Sequence, residues 1–438
     1  MIRMVLAALL LVFTAVLRPA AAIEVERVLS PGGIEAWLVR DHANPIIAVS
    51  IAWRGGGGLD PAGKEGLARM VSATLDEGAG DLDSQAFQRR LEDLAVSLRF
   101  DAGYDSFSGR LKTLTRNRDA AFELMRLAVT APRFDAEPVE RIRGQIVAGL
   151  RRDSEDPDTI ARRTMSRTLF SGHPYGRPTR GTEQSVAAIG VDDLRKFTAQ
   201  RLARDNMVIG VVGDIEPETL AGLLDGTFGG LPARALPWAL PEVEPAATGK
   251  VIVVKKNVPQ SVIVFAHGGL KRDHPDYYTA VVMNYILGGG TFASRLHHEV
   301  REKRGLAYSV YSALYPYDHA AMIWGGAGTA NARVGETVGV VRDEWRRMAI
   351  EGVGETELAD AKTYLSGSFP LRFSSSGRIA SILVAMQLDD LGIDYLERRN
   401  GLIEAVTRDG VNGVARHLLD PEKLTMVVVG QPEGLPGE

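Results

Sequence analysis

The chain has 438 residues, 45% hydrophobic and 24% charged, a globular composition too long for one ordinary domain. A formal net charge of −4 and the lack of any long basic run give no electrostatic case for nucleic acid or an anionic membrane. Without cysteine there is no disulfide, no thiolate metal site and no cysteine nucleophile.

The N-terminus, "MIRMVLAALLLVFTAVLRPAAA", sets Arg3 before an apolar run from Val5 to Leu17 and ends in Ala20-Ala21-Ala22. This layout predicts a cleavable secretory leader over residues 1–22, cut after Ala22. The run falls short of the roughly 20 apolar residues that span a bilayer. The mature form is therefore expected without a membrane segment and, in a bacterial cell, in the periplasm.

Next come the strand "IIAVSIAWRG" and the stretch "GKEGLARMVSATLDEG", Gly63 to Gly78, which reads as a glycine-bounded helix with Leu67, Met70, Val71 and Leu75 on its apolar face. "SLRFDAGYDSFSGRLKTL" alternates like a hairpin, and helical periodicity covers Ala120–Val129, Pro138–Asp153 and Val334–Ile350. "LPARALPWALPEVEPAATG", Leu231 to Gly249, is proline-rich and aperiodic, an extended linker. Beyond it, "SVIVFAHGG" reads as an early strand of the second half.

Each half closes alike. "AAIGVDDLRKFTAQRLARDNMVIGVVGD" lies on "EAVTRDGVNGVARHLLDPEKLTMVVVGQ" without a gap, Ile189 on Val406, Leu202 on Leu419 and Gly213 on Gly430. Both are an amphipathic helix followed by a β-branched strand stopping at glycine, which points to an internal duplication. The predicted organisation is a domain over 23–235, a linker over 236–250 and a similar domain over 251–438. Strands grouped with strands, and helices with helices, favour an α+β fold of two similar layered domains over a doubly wound sheet.

Three blocks carry a resemblance: "GGGTFASRLHHEVREKRGLAYSVYS" from Gly288, "HPYGRPTRGTEQSVAAIGVDDLRKF" from His173, and "DNMVIGVVGD". Together they resemble the pitrilysin/insulinase family of zinc metallopeptidases, over essentially the whole mature chain. The resemblance implies a duplicated metallopeptidase-like fold forming one half of a clamshell. In active members the helix after "GLA" bears His-x-x-Glu-His, two histidines for the metal and a glutamate that activates water. The matching positions here are Arg69, Ser72 and Ala73; the third ligand, a glutamate, falls on Gly149 and a helper glutamate on Ile142. None of these side chains is a zinc ligand. The chain is thus expected to hold no metal or other cofactor, with zinc in a homologous partner subunit.

His297, His298, Glu299 and Glu302 form the one dense cluster of candidate ligands. The alternative to a metal site there is a solvated helix face opposite Phe292, Leu296 and Val300. His42, His267, His274, His319 and His417 are scattered, and the resemblance makes His173 a structural turn residue. The runs "RGGGGLD" and "LGGGTF" are not phosphate loops, since no Lys-Ser/Thr follows. The resemblance sets Gly288, Gly289 and Gly290 beside the substrate cleft.

Arg301 and Tyr308 match an arginine and a tyrosine that, in active relatives, reach the zinc site of the facing half and hold and polarise the scissile carbonyl. The bland reading is a surface ion pair for Arg301 and a tyrosine packed on its strand. The expected function is that of a zinc-less subunit of a periplasmic heterodimeric peptidase, contributing Arg301 and Tyr308 in trans to hydrolysis of an extended peptide or unfolded protein. Two alternatives stand beside it. One is an inert scaffold or peptide-binding protein of the same fold, and the other a stand-alone peptidase with unusual ligands.

Overall fold

The computed structural model describes residues 23–435, so the leader expected over residues 1–22 lies outside the described residues. The first half contributes β1 (Glu26–Leu29), β2 (Glu35–Arg40), β3 (Ile46–Arg54), β4 (Ser97–Ala102), β5 (Ser106–Leu114) and β6 (Met207–Gly213). They form a six-stranded sheet of order β1-β2-β6-β3-β5-β4. The second half contributes β7 (Val251–Lys255), β8 (Gln260–Gly268), β9 (Ala307–Tyr317), β10 (Ala320–Ala330) and β11 (Thr425–Gly430). Their order is β7-β11-β8-β10-β9.

Apart from β1, the two orders match strand for strand. In each half the last strand enters between the first and second of the matching set, parallel to one and antiparallel to the other. The helices that precede these strands, Val191–Arg201 and Arg408–Leu418, occupy the paired positions seen in sequence. Gly213 and Gly430 both end their strands at positive φ, 144° and 157°. A Cβ at either would lie 2.1 Å from a neighbouring atom, the Ile46 carbonyl oxygen or Ser261 Oγ. Glycine is sterically required at both. The layered, duplicated α/β fold expected from sequence is the one observed.

β3 is buried at every interior position, whereas the edge strand β4 alternates buried and exposed residues. A strand covered on both faces reads as a continuous apolar run, and a half-covered one alternates. One face of each sheet packs on its own half's helices, with Trp53, Phe107 and Phe122 in the first core and Phe265 and Trp345 in the second.

The other faces are covered by exchange. The first half's helix Pro157–Leu169 lays Ala161, Met165 and Leu169 against Val264, Ala266, Trp324 and Val427 of the second sheet. Reciprocally, the second half's helix Ser376–Leu388 lays Ala380, Leu383 and Met386 against Trp37, Val39 and Val212 of the first. Each fully buried leucine or methionine contributes about 1.5–3 kcal/mol, so neither sheet keeps its full stabilisation without the other half.

Two local expectations are refined. The segment Gly63–Gly78 is helical only over Leu67–Ser72. Thr74 Oγ1 then donates 2.8 Å to the Met70 carbonyl, the side-chain competition that favours turns over further helix. The linker has no regular structure but is tied down: Val243 N donates to His319 O and Ala246 N to Leu169 O, each at 2.9 Å. Among the described residues, no helix is long and apolar enough to cross a membrane.

Candidate functional site

The Leu67–Ser72 helix carries the first set of candidate positions. Its N-terminus is held by Asp60, whose carboxylate accepts from Gly66 N at 2.9 Å and Ala68 N at 3.1 Å. Burial pushes that carboxyl up to about 7 against those two bonds. Arg69 turns to the edge strand, 3.5 Å from Asp101 Oδ1, and lies 3.4 Å from Ser72 Oγ. Ser72 Oγ donates back to the Arg69 carbonyl at 2.8 Å. Ala73 caps the helix and offers only a methyl group.

Gly149 lies on the long helix Ala136–Glu155, which packs against the Leu67–Ser72 helix, Arg143 Nη1 standing 3.8 Å from Met70 Sδ. A Cβ at Gly149 would lie 3.6 Å from Arg180 Nη2 and 3.8 Å from Arg152 Nη2. Arg180 links the two segments, since a Cβ on Gly66 would sit 2.9 Å from its carbonyl oxygen. Ile142 is buried in the helix packing. Zinc takes neutral imidazole, carboxylate or thiolate ligands. These positions supply a guanidinium, a committed hydroxyl, a methyl group and a hydrogen, with further guanidinium groups alongside. The set does not fit zinc. Among the described residues, no group of three or more His, Asp or Glu could hold a metal ion.

The second set surrounds two π-helical turns, Tyr285–Gly289 and His297–Glu302, separated by a 3-10 turn at Thr291–Ala293. π-turns inside helices recur at functional sites. A Cβ at Gly288 would be 2.4 Å from Ser312 Oγ, so a glycine there lets the first π-turn press onto β9. Gly288 and Gly290 are buried and Gly289 is exposed.

Arg301 is the centre of this set. Its guanidinium carbon lies 4.6 Å from the Tyr308 ring centroid and 5.4 Å from that of Phe292. Its Nη1 is 3.1 Å from His297 Nε2. Among the described residues no carboxylate lies within ion-pair distance of it. Tyr308 is 82% exposed and Phe292 69%. Arg301 thus has no ion pair among the described residues, and Tyr308, the second residue of β9, sets its ring beside the Arg301 guanidinium and open to solvent.

Phe292 departs from its expected place on the apolar helix face. Leu296 and Val300 are fully buried, but the 3-10 turn, with Thr291 at φ 46°, breaks the helical phase before Ser294. Phe292 therefore projects outward, its ring 4.7 Å from that of His297. Phe292 and His297 join Arg301 and Tyr308 in a group that sequence reasoning missed. The available signal was His297, one helical turn before Arg301. His298 and Glu302 pair at 2.9 Å on an exposed face, while the buried Glu299 pairs with the half-exposed Lys303 and Arg304. His173 caps the turn Pro174–Gly176, accepting from Tyr175 N at 3.2 Å.

A protein-family model described as peptidase M16 inactive domain matches residues 188–365. A non-peptidase homolog, YmxG, from Helicobacter pylori is 29% identical over 333 residues, 76% of this chain and 77% of that protein. An uncharacterized zinc protease from Mycobacterium tuberculosis is 28% identical over 409 residues, 92% of each chain. Among solved structures, the peptidase M16 inactive domain from Pseudomonas fluorescens superposes with a TM-score of 0.87 at 28% identity, covering 94% of this chain and 99% of that one.

Proposed function

The chain belongs to the M16, or pitrilysin/insulinase, peptidase family as an inactive domain without a metal-binding cluster among its described residues, and we propose that it is the non-catalytic subunit of a heterodimeric metallopeptidase. A homologous subunit would supply zinc, the general base and an edge strand to pair with an extended peptide. This chain would supply Arg301 and Tyr308 across the interface. The predicted leader directs the pair to the periplasm.

One observation carries the reading. A guanidinium and a phenol stand 4.6 Å apart, the phenol 82% exposed, and the described residues of this chain give the cation no carboxylate. A charge held on two aromatic faces remains free to bind a carbonyl oxygen from elsewhere, at a cation–π gain of only about 0.5–1 kcal/mol at exposed sites. Arg301 would hold a substrate backbone carbonyl by its planar fork, and Tyr308 would donate to the scissile oxygen as negative charge develops. Loss of one such donor typically costs about 2.7–4 kcal/mol of transition-state stabilisation, or roughly 10²–10³ in kcat. The Helicobacter relative's designation as a non-peptidase homolog agrees with a subunit inactive by itself.

The test is steady-state cleavage of a quenched peptide by the chain mixed with a His-x-x-Glu-His subunit, with assembly followed by size exclusion. Tyr308→Phe should lower kcat more than it raises KM, because the lost bond acts mainly in the transition state. Arg301→Ala should impair both, and Arg301→Lys should recover only part. Wild-type rates for all three variants in an assembled complex would make the chain an inert scaffold.

A further inference from the structure

The first half of the molecule, opposite the half that carries Arg301 and Tyr308, contains a cavity of about 710 Å³ between the Pro157–Leu169 helix and the segment Gly176–Thr182. Five arginines line it, Arg162, Arg163 and Arg167 from the helix and Arg177 and Arg180 from the facing segment, against one carboxylate, Asp153. Asp153 is already engaged, 2.5 Å from Arg180 and 3.8 Å from Arg163. Arg162 and Arg177 have only distant ion-pair partners, both outside the lining, Asp158 at 3.6 Å and Glu65 at 3.7 Å, and Arg177 Nη2 also donates to the Gly58 carbonyl at 3.2 Å. Arg167 has no ion pair among the described residues. In a chain of net charge −4, this is a local excess of cations set into a concave wall.

The arrangement argues for the kind of anion. Guanidinium forks match carboxylate and phosphate oxygens. A single phosphate needs donors converging on one point, whereas these arginines are divided between two walls, and Arg163 and Arg167 stand one helical turn apart, roughly 5–6 Å. Tyr104 and Ile160 add apolar surface between them. Charges spaced along a partly apolar trough suit several carboxylates on one chain.

The position matters as well. Arg180, on the cavity wall, is one of two arginines whose side chains border Gly149. Guanidinium density that repels a dication attracts a carboxylate.

We propose that this cavity binds the aspartate and glutamate side chains of an acidic polypeptide segment. The source of that segment, a peptide substrate held in the chamber, rests on the function proposed above; the binding itself does not.

The experiment uses the mature chain alone, so its result is independent of whether a partner is ever activated. Fluorescence anisotropy would follow a labelled glutamate-rich peptide, with a glutamine-rich peptide of equal length and inorganic pyrophosphate as competitors. We expect saturable binding of the acidic peptide, weakening with salt, no competition by the uncharged peptide, and only feeble competition by pyrophosphate. Arg163→Gln/Arg167→Gln should weaken binding by roughly tenfold or more, since each removed guanidinium gives up charge-assisted bonds. Arg126→Gln, which breaks an exposed pair with Glu123 on another helix, should leave affinity unchanged. If the double variant misfolds by circular dichroism, Arg162→Gln, at a 59% exposed side chain, serves with an expected severalfold loss. Equal affinity for folded cavity variants and wild type, absence of acidic-peptide binding, or tighter binding of pyrophosphate than of peptide would each overturn the proposal.

Discussion

Gly210→Ala tests the exchange of helices with a single added methyl group. Gly210 lies in the middle of β6, paired with Trp37 on one side and Ser50 on the other. A Cβ there would fall 2.5 Å from the Ala380 carbonyl oxygen and 2.9 Å from Leu383 Cβ. The first of these is backbone and cannot rotate aside, so the Ser376–Leu388 helix must lift off the sheet. Resisting that lift are Arg54, which donates to Leu388 O at 2.7 Å and Gln387 O at 2.8 Å, and Gln387 Nε2, which donates to Ile209 O at 3.0 Å. Overpacking of this kind costs about 1–3 kcal/mol. Partial withdrawal of Leu383 from Trp37 and Val212 adds part of the roughly 1.5–3 kcal/mol its burial is worth. Relief of glycine's conformational entropy returns about 0.5–1 kcal/mol. The expected net loss is about 2 kcal/mol. It would be read as a lowered urea midpoint at unchanged slope, followed by both tryptophan fluorescence and far-UV circular dichroism. Both probes should move together, because each half's helix completes the other's sheet. Gly222→Ala, in the Pro217–Phe228 helix with open space around its Cβ, should instead stabilise by about 0.5–1 kcal/mol. A Gly210→Ala protein as stable as wild type would refute the close docking of this helix on β6.

Two further outcomes are expected. Glu299 is buried and accepts from Lys303 at 2.8 Å and Arg304 at 2.6 Å, which hold its carboxyl down at about 2. With the folded value below the ordinary one, this stabilisation is full above about pH 4.5 and is lost as pH falls towards 2. Glu299→Gln should therefore cost about 1–2 kcal/mol at pH 7, after allowance for two half-exposed cations, and the urea-midpoint gap to wild type should narrow below about pH 4.5 and close only as pH falls through about 2; a gap independent of pH would refute it. The combined variant Arg69→His, Ser72→Glu, Ala73→His and Gly149→Glu should retain less than stoichiometric zinc by elemental analysis after dialysis. Ile142 supplies no supporting carboxylate, and Arg152 and Arg180 flank the new glutamate. Chelator-sensitive proteolysis by that variant alone would show that the geometry had been kept.

Local order was legible because it is written in period. The alternation in "SLRFDAGYDSFSGRLKTL" became the β4–β5 hairpin, and the apolar runs ending at Gly213 and Gly430 became the central strands β6 and β11. The gapless match between the two closing units pointed to a duplicated unit, and the two last strands do enter their sheets at the matching place. That Arg69, Ser72, Ala73 and Gly149 offer no zinc ligand was likewise a matter of residue chemistry, readable from the sequence alone. What the tertiary structure decided was adjacency. The apolar stripe Ala161, Met165 and Leu169 has the same period whichever sheet it covers, and only the folded chain shows that it covers the second. Phe292 left its helix face where Thr291 adopts a positive φ in the 3-10 turn, a local break that the apolar spacing of the sequence does not reveal. The five cavity arginines are an ordinary charged scatter in sequence. They become a site because the turn at Pro174–Gly176 folds Arg177 and Arg180 back across the helix that bears the other three, a contact set by distance in space and not by spacing along the chain.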